Sequence, residues 1–222
     1  MVEPPKPSLR GESTRDALLD AATRVFAREG FASANLRQIA QEAGVNPALI
    51  GYHFHSKEGL YLAVFQRIVG CMREGLDPVL ERIGRELEAP GAPAGARKEA
   101  CLSLLLELIE GMLLTTVREH ASWGELIARE LSHPTAAFDH LYEGVIGRGQ
   151  RALVGLLQRI RPGEAVEQTR LLAAGIAAQV LLVRHARAPF MRLLEWEAIG
   201  DRELDRMKAL IRRNVKLLAL GD

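Results

Sequence analysis

The stretch from Asn35 to Phe54 constrains this chain more than any other, because it stops and restarts the backbone within a few residues. Asn35 has the side chain that accepts a hydrogen bond from a free N–H in a helix's first turn. Leu36, Ile39, Ala40 and Ala43 then recur at helical spacing and predict one apolar stripe. Gly44 follows where a helix must end and the backbone needs a positive φ. Asn46 predicts a second cap, with Pro47 at the first helical position, where its missing N–H costs nothing. Ile50 and Phe54 anchor this second helix inward, which leaves Pro47, Ala48, Leu49, Gly51, Tyr52 and His53 facing out. The pattern is a helix-turn-helix, whose second helix can lie in a DNA major groove. An ordinary αα-corner carries the same caps, so the flanks decide between the two.

Upstream, Ser13 or Thr14 starts a helix with Leu18, Ala21, Ala22, Val25 and Phe26 on one face. Gly30 would end it in a left-handed cap with Phe31 as the hydrophobic contact. Downstream, Ser56 is placed to cap a long helix and Glu58 complements its dipole. Lys57 stands at its N-terminus, where a phosphate binds.

With these flanks, residues 12–65 resemble the DNA-binding domain of the TetR family of bacterial transcriptional regulators. The likeness lies in Ala-x-x-x-Phe-Ala-x-x-Gly-Phe from Ala22, Leu-x-x-Ile-Ala-x-x-Ala-Gly-Val from Leu36, Tyr52-His53-Phe54, and Ser-Lys-Glu-x-Leu-Tyr from Ser56. The resemblance implies an all-α fold, with an N-terminal three-helix DNA-binding domain and a C-terminal bundle for ligand binding and dimerisation. It also implies control by a ligand. The DNA-facing set it suggests is Asn35, Arg37, Asn46, Pro47, Ala48, Leu49, Gly51, Tyr52, His53 and Lys57, with His53 and Lys57 at the family's phosphate contacts. Two positions depart from the common pattern: Leu49 replaces a small hydroxyl residue and Gly51 an aromatic. Leu49 can still read a thymine methyl by apolar contact.

Composition limits this reading. The 222 residues are 48% hydrophobic, enough to bury a core, but the net charge is only +1, so no overall basic field attracts nucleic acid. In the N-terminal region Arg10, Arg15, Arg24, Arg28, Arg37 and Lys57 are matched by acids such as Asp16, Asp20, Glu29 and Glu42. Local placement of Arg37, His53 and Lys57 must supply the attraction, with a homodimer reading paired half-sites on double-stranded operator DNA.

Cys71 and Cys101 are too far apart for a metal knuckle, and no export signal precedes them, so a cytoplasmic protein with two reduced, buried thiols is expected. No metal and no cofactor is called for. The apolar run Leu104–Leu114 is interrupted by Glu107, Glu110 and Gly111 and reads as too short and too charged to span a membrane. Residues 1–11 read as a disordered arm, 12–72 as the DNA-binding domain and 73–222 as the effector and dimerisation domain.

The remainder predicts helices over 57–74, 76–88, 98–118, 122–132, 135–160, 164–187 and 202–219, with a flexible link at 89–96. The helix 98–118 is apolar around most of its circumference, which marks a central helix. Its Ser103, Glu107 and Glu110 form either a solvated edge or the wall of a ligand cavity. A small-molecule pocket is expected where Glu107 and Met112 meet Trp123, Ile127, Arg129, Glu130, His133, Phe138 and Tyr142, because convergent aromatic and polar groups beside an apolar helix suit a ligand. The apolar stripes of the last two helices predict a dimer centred on Leu172, Ile176, Gln179, Val183, Leu204, Met207 and Ile211. The rival class is a helical-bundle enzyme, since Glu130-Leu-Ser-His133 has di-iron ligand spacing. That site needs a second copy of the motif, and the chain has none. The expectation is a sequence-specific DNA-binding regulator. It would be a repressor released by a small molecule, or alternatively an activator or dual regulator.

Overall fold

The computed structural model describes residues 9–89, 94–118 and 121–221, and every element within them is helical, with no strand. The expected N-terminal arm therefore lies mostly outside the described residues, as does the centre of the expected link at 89–96. The chain divides into two compact units. One runs to Gly70 and takes in 120–141; the other holds 71–119 and 142–222.

In the first unit, α1 (Leu9–Ser33) buries Leu18, Ala22, Val25 and Phe26. Gly30, at φ 78° and ψ 164°, bends the chain near its end. Glycine alone reaches that combination readily, so the expected break falls at that residue. The short helices α2 (Leu36–Glu42) and α3 (Ala48–Phe54) follow, burying Ile39 with Ala40 and Ile50 with Phe54. Helix α4 (Lys57–Glu88) opens with Leu60, Tyr61, Val64, Phe65 and Ile68 in the same core. Tyr61 meets Phe26 edge-on, with ring centres 5.0 Å apart.

Two further helices, α6 (Ala121–Ser132) and α7 (Ala136–Leu141), belong to this unit rather than to the C-terminal domain expected from residue 73 onward. Polar bonds fix them there. The buried Glu130 carboxylate accepts from the Tyr61 hydroxyl at 2.7 Å and from the Thr135 backbone N–H at 2.9 Å. Arg129 donates to the Ala27 carbonyl near the end of α1.

The second unit packs α5 (Ala94–Arg118) against α8 (Gly147–Ile160), α9 (Val166–His185) and α11 (Asp201–Leu220). Helix α5 is thus the central helix that its all-round apolarity predicts. A π-helical turn, Tyr142–Ile146, leads into α8, and the short α10 (Arg187–Leu193) follows α9; neither was expected from the sequence. The expected break near residue 75 is absent, since α4 continues through Gly75 and Pro78. Buried Leu76, Val79 and Ile83 and the paired Asp77 hold it in register. Burial favours the neutral form of Asp77, but its hydrogen bonds from Arg148 and Arg73 outweigh that effect and hold the carboxyl below its usual range.

The membrane expectation needs correction. Leu104–Leu114 is part of a longer stretch, Gly95–Val117, and this and Val166–Val183 are both long and apolar enough to cross a membrane by length and composition. The first is the core helix of a bundle, which meets the same criterion. Cys101 is buried as expected, whereas Cys71 is exposed because it falls on the outer side of α4.

Candidate functional site: the helix-turn-helix

Each local feature of the motif follows from its residues. The Asn35 side chain accepts from the Arg37 backbone N–H at 2.9 Å and so starts α2. Gly44 closes the turn at φ 68°, and the Asn46 side chain accepts from the Ala48 N–H at 2.9 Å to start α3. Ser56 caps α4 by accepting from the Gly59 N–H at 3.0 Å. Gly59 has no alternative here: a Cβ on it would collide with the Phe54 backbone carbonyl. The turn between α3 and α4 is therefore a fixed, tight join, with His55 held at φ 65°.

On α3 the exposed positions are Pro47, Ala48, Gly51 and Tyr52, with Leu49 and His53 half-buried. Tyr52 is 77% exposed, and its ring stands edge-on to that of His53. An aromatic left this bare at the centre of a short helix has no role in the unit's own core. Arg37 is exposed on α2. Lys57 begins α4, where its ammonium donates to the Ala32 carbonyl at 3.1 Å and lies over the Phe31 ring. The same helix end draws negative charge, since the Glu58 carboxyl is held below its usual range by its own backbone N–H and by Ser56. The acids that offset the basic residues in sequence are largely engaged within the unit. Glu42 accepts from Arg28 at 2.7 Å and lies 3.8 Å from Arg24, while Asp20 pairs with Arg67.

The residues expected to wall an effector pocket are divided between the two units, and within the first unit only Arg129 and His133 share a cavity, an open groove of about 960 Å³ between α1 and α6. Trp123, Ile127, Arg129, Glu130, His133 and Phe138 belong to the first unit, and Glu107, Met112 and Tyr142 to the second. Ile127 is core, and Glu130 and Arg129 make the bonds that fix α6. Glu107 accepts two bonds from Arg82 and Glu110 one from Arg212, so this polar stripe is an ion-paired edge. His133 is exposed, and among the described residues no cluster could hold a metal. Tyr142 alone of the expected set lines the cavity of about 530 Å³ between α8 and α9.

The residues expected at the dimer interface lie mostly on the inner side of their helices. Ile176, Val183, Leu204, Met207 and Ile211 are buried within the chain's own bundle and leave little surface exposed. Leu172 and Gln179 are half-buried, and Gln179 accepts from Asn214. The exposed apolar side of α9 is instead Leu171, Gly175, Ala178 and Leu182, and that of α11 is Leu210, Leu217 and Leu220. These positions repeat at helical spacing on a different side of each helix from the buried set.

Comparison with known proteins agrees with this geometry. Residues 18–64 match the family model for bacterial regulatory proteins of the tetR family, and residues 103–221 match the C-terminal domain of the HTH-type transcriptional dual regulator CecR. The dual regulator CecR of Shigella flexneri is 27% identical over 218 residues, covering 98% of this chain and 96% of its own. The repressor KstR2 of Rhodococcus jostii is 29% identical over 154 residues, 67% of this chain and 72% of its own. A TetR-like regulator from Rhodococcus sp. RHA1 shares the fold, with a TM-score of 0.63 at 19% identity over 98% of this chain and 100% of its own. The C-terminal match alone spans more than half of the residues, and the chain belongs to the TetR family of DNA-binding transcriptional regulators, with a C-terminal domain of the CecR type.

Proposed function

We propose that this protein is a cytoplasmic homodimeric repressor that lies with α3 in the major groove of a palindromic operator and is released by a small molecule. The bare Tyr52 at the centre of α3, whose start is capped by Asn46, carries the DNA-facing part of this reading. Asn35, Arg37, Asn46, Pro47, Ala48, Leu49, Gly51, Tyr52, His53 and Lys57 line the face that meets DNA. Tyr52 and Leu49 reach bases, and His53 and Lys57 meet phosphates. The exposed leucine stripes of α9 and α11 support a two-fold four-helix interface. Helix α4 runs through both units, so a ligand that favours one spacing of the recognition helices can act through it. A dual-regulator reading is favoured by one observation, the match over nearly its whole length to the dual regulator CecR.

Lys57→Ala and Tyr52→Ala test the docking. Lys57→Ala should weaken all DNA sites alike and lower the slope of log affinity against log salt by about one per half-site. Tyr52→Ala should change which sequences are preferred. Unchanged affinity, slope and preference in both variants would contradict it.

A further inference from the structure

Between α8 and α9 the facing residues are small, Gly147 on α8 and Ala173, Ala174 and Ala177 on α9, whereas the bare side of Gly155 receives Leu87 of α4. Side chains this small leave the space between two helices unfilled, and a trough of about 530 Å³ remains. From Gly147 to Gln158 it spans about 16 Å at the rise of an α-helix. Its floor is apolar, with the buried Leu153 beneath it.

The rim has a different chemistry. Arg151 stands on α8 and Arg170 on α9, and no acidic residue lines the trough. The neighbouring arginines of α8 are tied into the fold: Arg148 pairs with Asp77, Arg159 donates to the Leu87 carbonyl, and Arg161, just beyond the helix end, pairs with Glu164. Among the described residues Arg151 and Arg170 have no such partner, and both are exposed. At the entrance, the π-helical turn carries Tyr142, whose hydroxyl donates to the Gln150 side chain at 3.3 Å. Gly147 makes room for it, since a Cβ there would press on both the Tyr142 ring and the Arg151 guanidinium. Turns of this kind recur at functional sites because they re-aim the side chains beside them.

We infer that this trough binds an elongated amphiphilic anion, with a carboxylate or sulfonate held between Arg151 and Arg170 and an apolar body laid along the alanines of α9. Guanidinium groups suit such a head by paired charge-assisted bonds, and the apolar floor gives the body its affinity. The inference rests on the reading of this protein as ligand-controlled and supplies the chemical class of the ligand. Helix α9 carries both a wall of the trough and the exposed leucine stripe, so an occupant acts on the helix proposed to pair.

Two probes with the same body separate charge from apolar contact: 1-anilinonaphthalene-8-sulfonate and the neutral N-phenyl-1-naphthylamine. The wild-type protein should bind the sulfonate saturably. The variant carrying Arg151→Gln and Arg170→Gln should bind it roughly tenfold or more weakly, with the neutral probe unaffected. Ala177→Leu, which fills the trough, should weaken both. The arginine variant changes two exposed side chains, and its helicity and melting temperature should match wild type. Equal sulfonate binding by wild type and the arginine variant would overturn the site, as would binding that never saturates. Operator affinity, measured on DNA fragments selected by the protein, should fall roughly 5–150-fold at saturating sulfonate. If the arginine dependence holds and operator affinity does not move, the site stands and control through it falls.

Discussion

The two units differ in what they leave exposed. In the N-terminal unit the polar groups beside the core are satisfied within it: Glu130 by Tyr61 and Thr135, Arg129 by Ala27, Glu42 by Arg28. The large apolar side chain that it leaves bare among the described residues is Tyr52, on the recognition helix. The C-terminal unit leaves a row of leucines exposed on α9, α10 and α11, among them Leu171 at 62% and Leu193 at 80%. A unit complete in itself that presents one narrow face suits a groove of fixed shape. The uncovered leucines of the C-terminal unit form stripes rather than isolated positions, and contiguous apolar stripes are what interaction sites use, whereas isolated exposed apolar residues are ordinary.

The largest effect that would sharpen this contrast comes from two charges on one helix. Ile176→Asp places an unpaired carboxylate in a fully buried site and should cost more than about 4 kcal/mol, leaving little folded protein. Leu171→Asp, on the exposed stripe, should leave helicity and melting of the protomer near wild type and yield monomers by sedimentation. A folded Ile176→Asp dimer would invert the assignment of the two faces.

Next is the polar tie within the N-terminal unit. Glu130→Ala strips partners from the buried Tyr61 hydroxyl and from the Thr135 N–H, and should cost about 2–4 kcal/mol by denaturant titration. Burial first, and then the bond to Glu130, push the Tyr61 hydroxyl well above its ordinary range, so Tyr61 stays a donor across the working pH range. Tyr61→Phe should cost less than Glu130→Ala, because Thr135 still satisfies the carboxylate. A Glu130→Ala protein as stable as wild type would mean α6 is not held by this bond.

Gly59→Ala should cost about 1–3 kcal/mol, since the join between α3 and α4 must open to admit the methyl group. DNA affinity should fall further than stability accounts for, because opening the join re-aims α3. Unaltered DNA binding would show that the geometry of this turn does not position the recognition helix.

The smallest effect is one of rate. Cys71 should react with a thiol reagent in the native protein, while buried Cys101 should wait for unfolding. Two equally fast thiols would contradict the assigned faces of α4 and α5.

How much of this was legible from sequence follows the same division. The helix-turn-helix was readable because Asn35, Gly44, Asn46 and Gly30 each satisfy a local requirement that few other residues meet, and short-range chemistry sets their geometry. The helices of the C-terminal unit were readable from apolar periodicity, but their orientation was not. Helix α9 is apolar on two sides, with Ile176, Val180 and Val183 on one and Leu171, Gly175, Ala178 and Leu182 on the other, and periodicity does not say which side the bundle claims. The dimer set was therefore placed on the buried side. No residue type marks a π-helical turn, so the re-aiming of Tyr142 and the start of α8 at Gly147 were hidden. The sequence reading broke the helix at Gly75, yet packing of Leu76, Val79 and Ile83 carries α4 through it. Glu130 and Arg129 suggested a ligand pocket by composition, and only the fold shows that their partners are internal.

The central claim is that a pair of these N-terminal units reads DNA through two α3 helices. Selection of random DNA fragments by the purified protein, followed by sequencing, tests this most directly. The account predicts an inverted repeat whose half-site centres lie one helical turn, about 34–36 Å, or a multiple of it apart, with Tyr52→Ala changing the bases enriched in both halves. Enrichment of an unpaired site, or of no sequence at all, would contradict it.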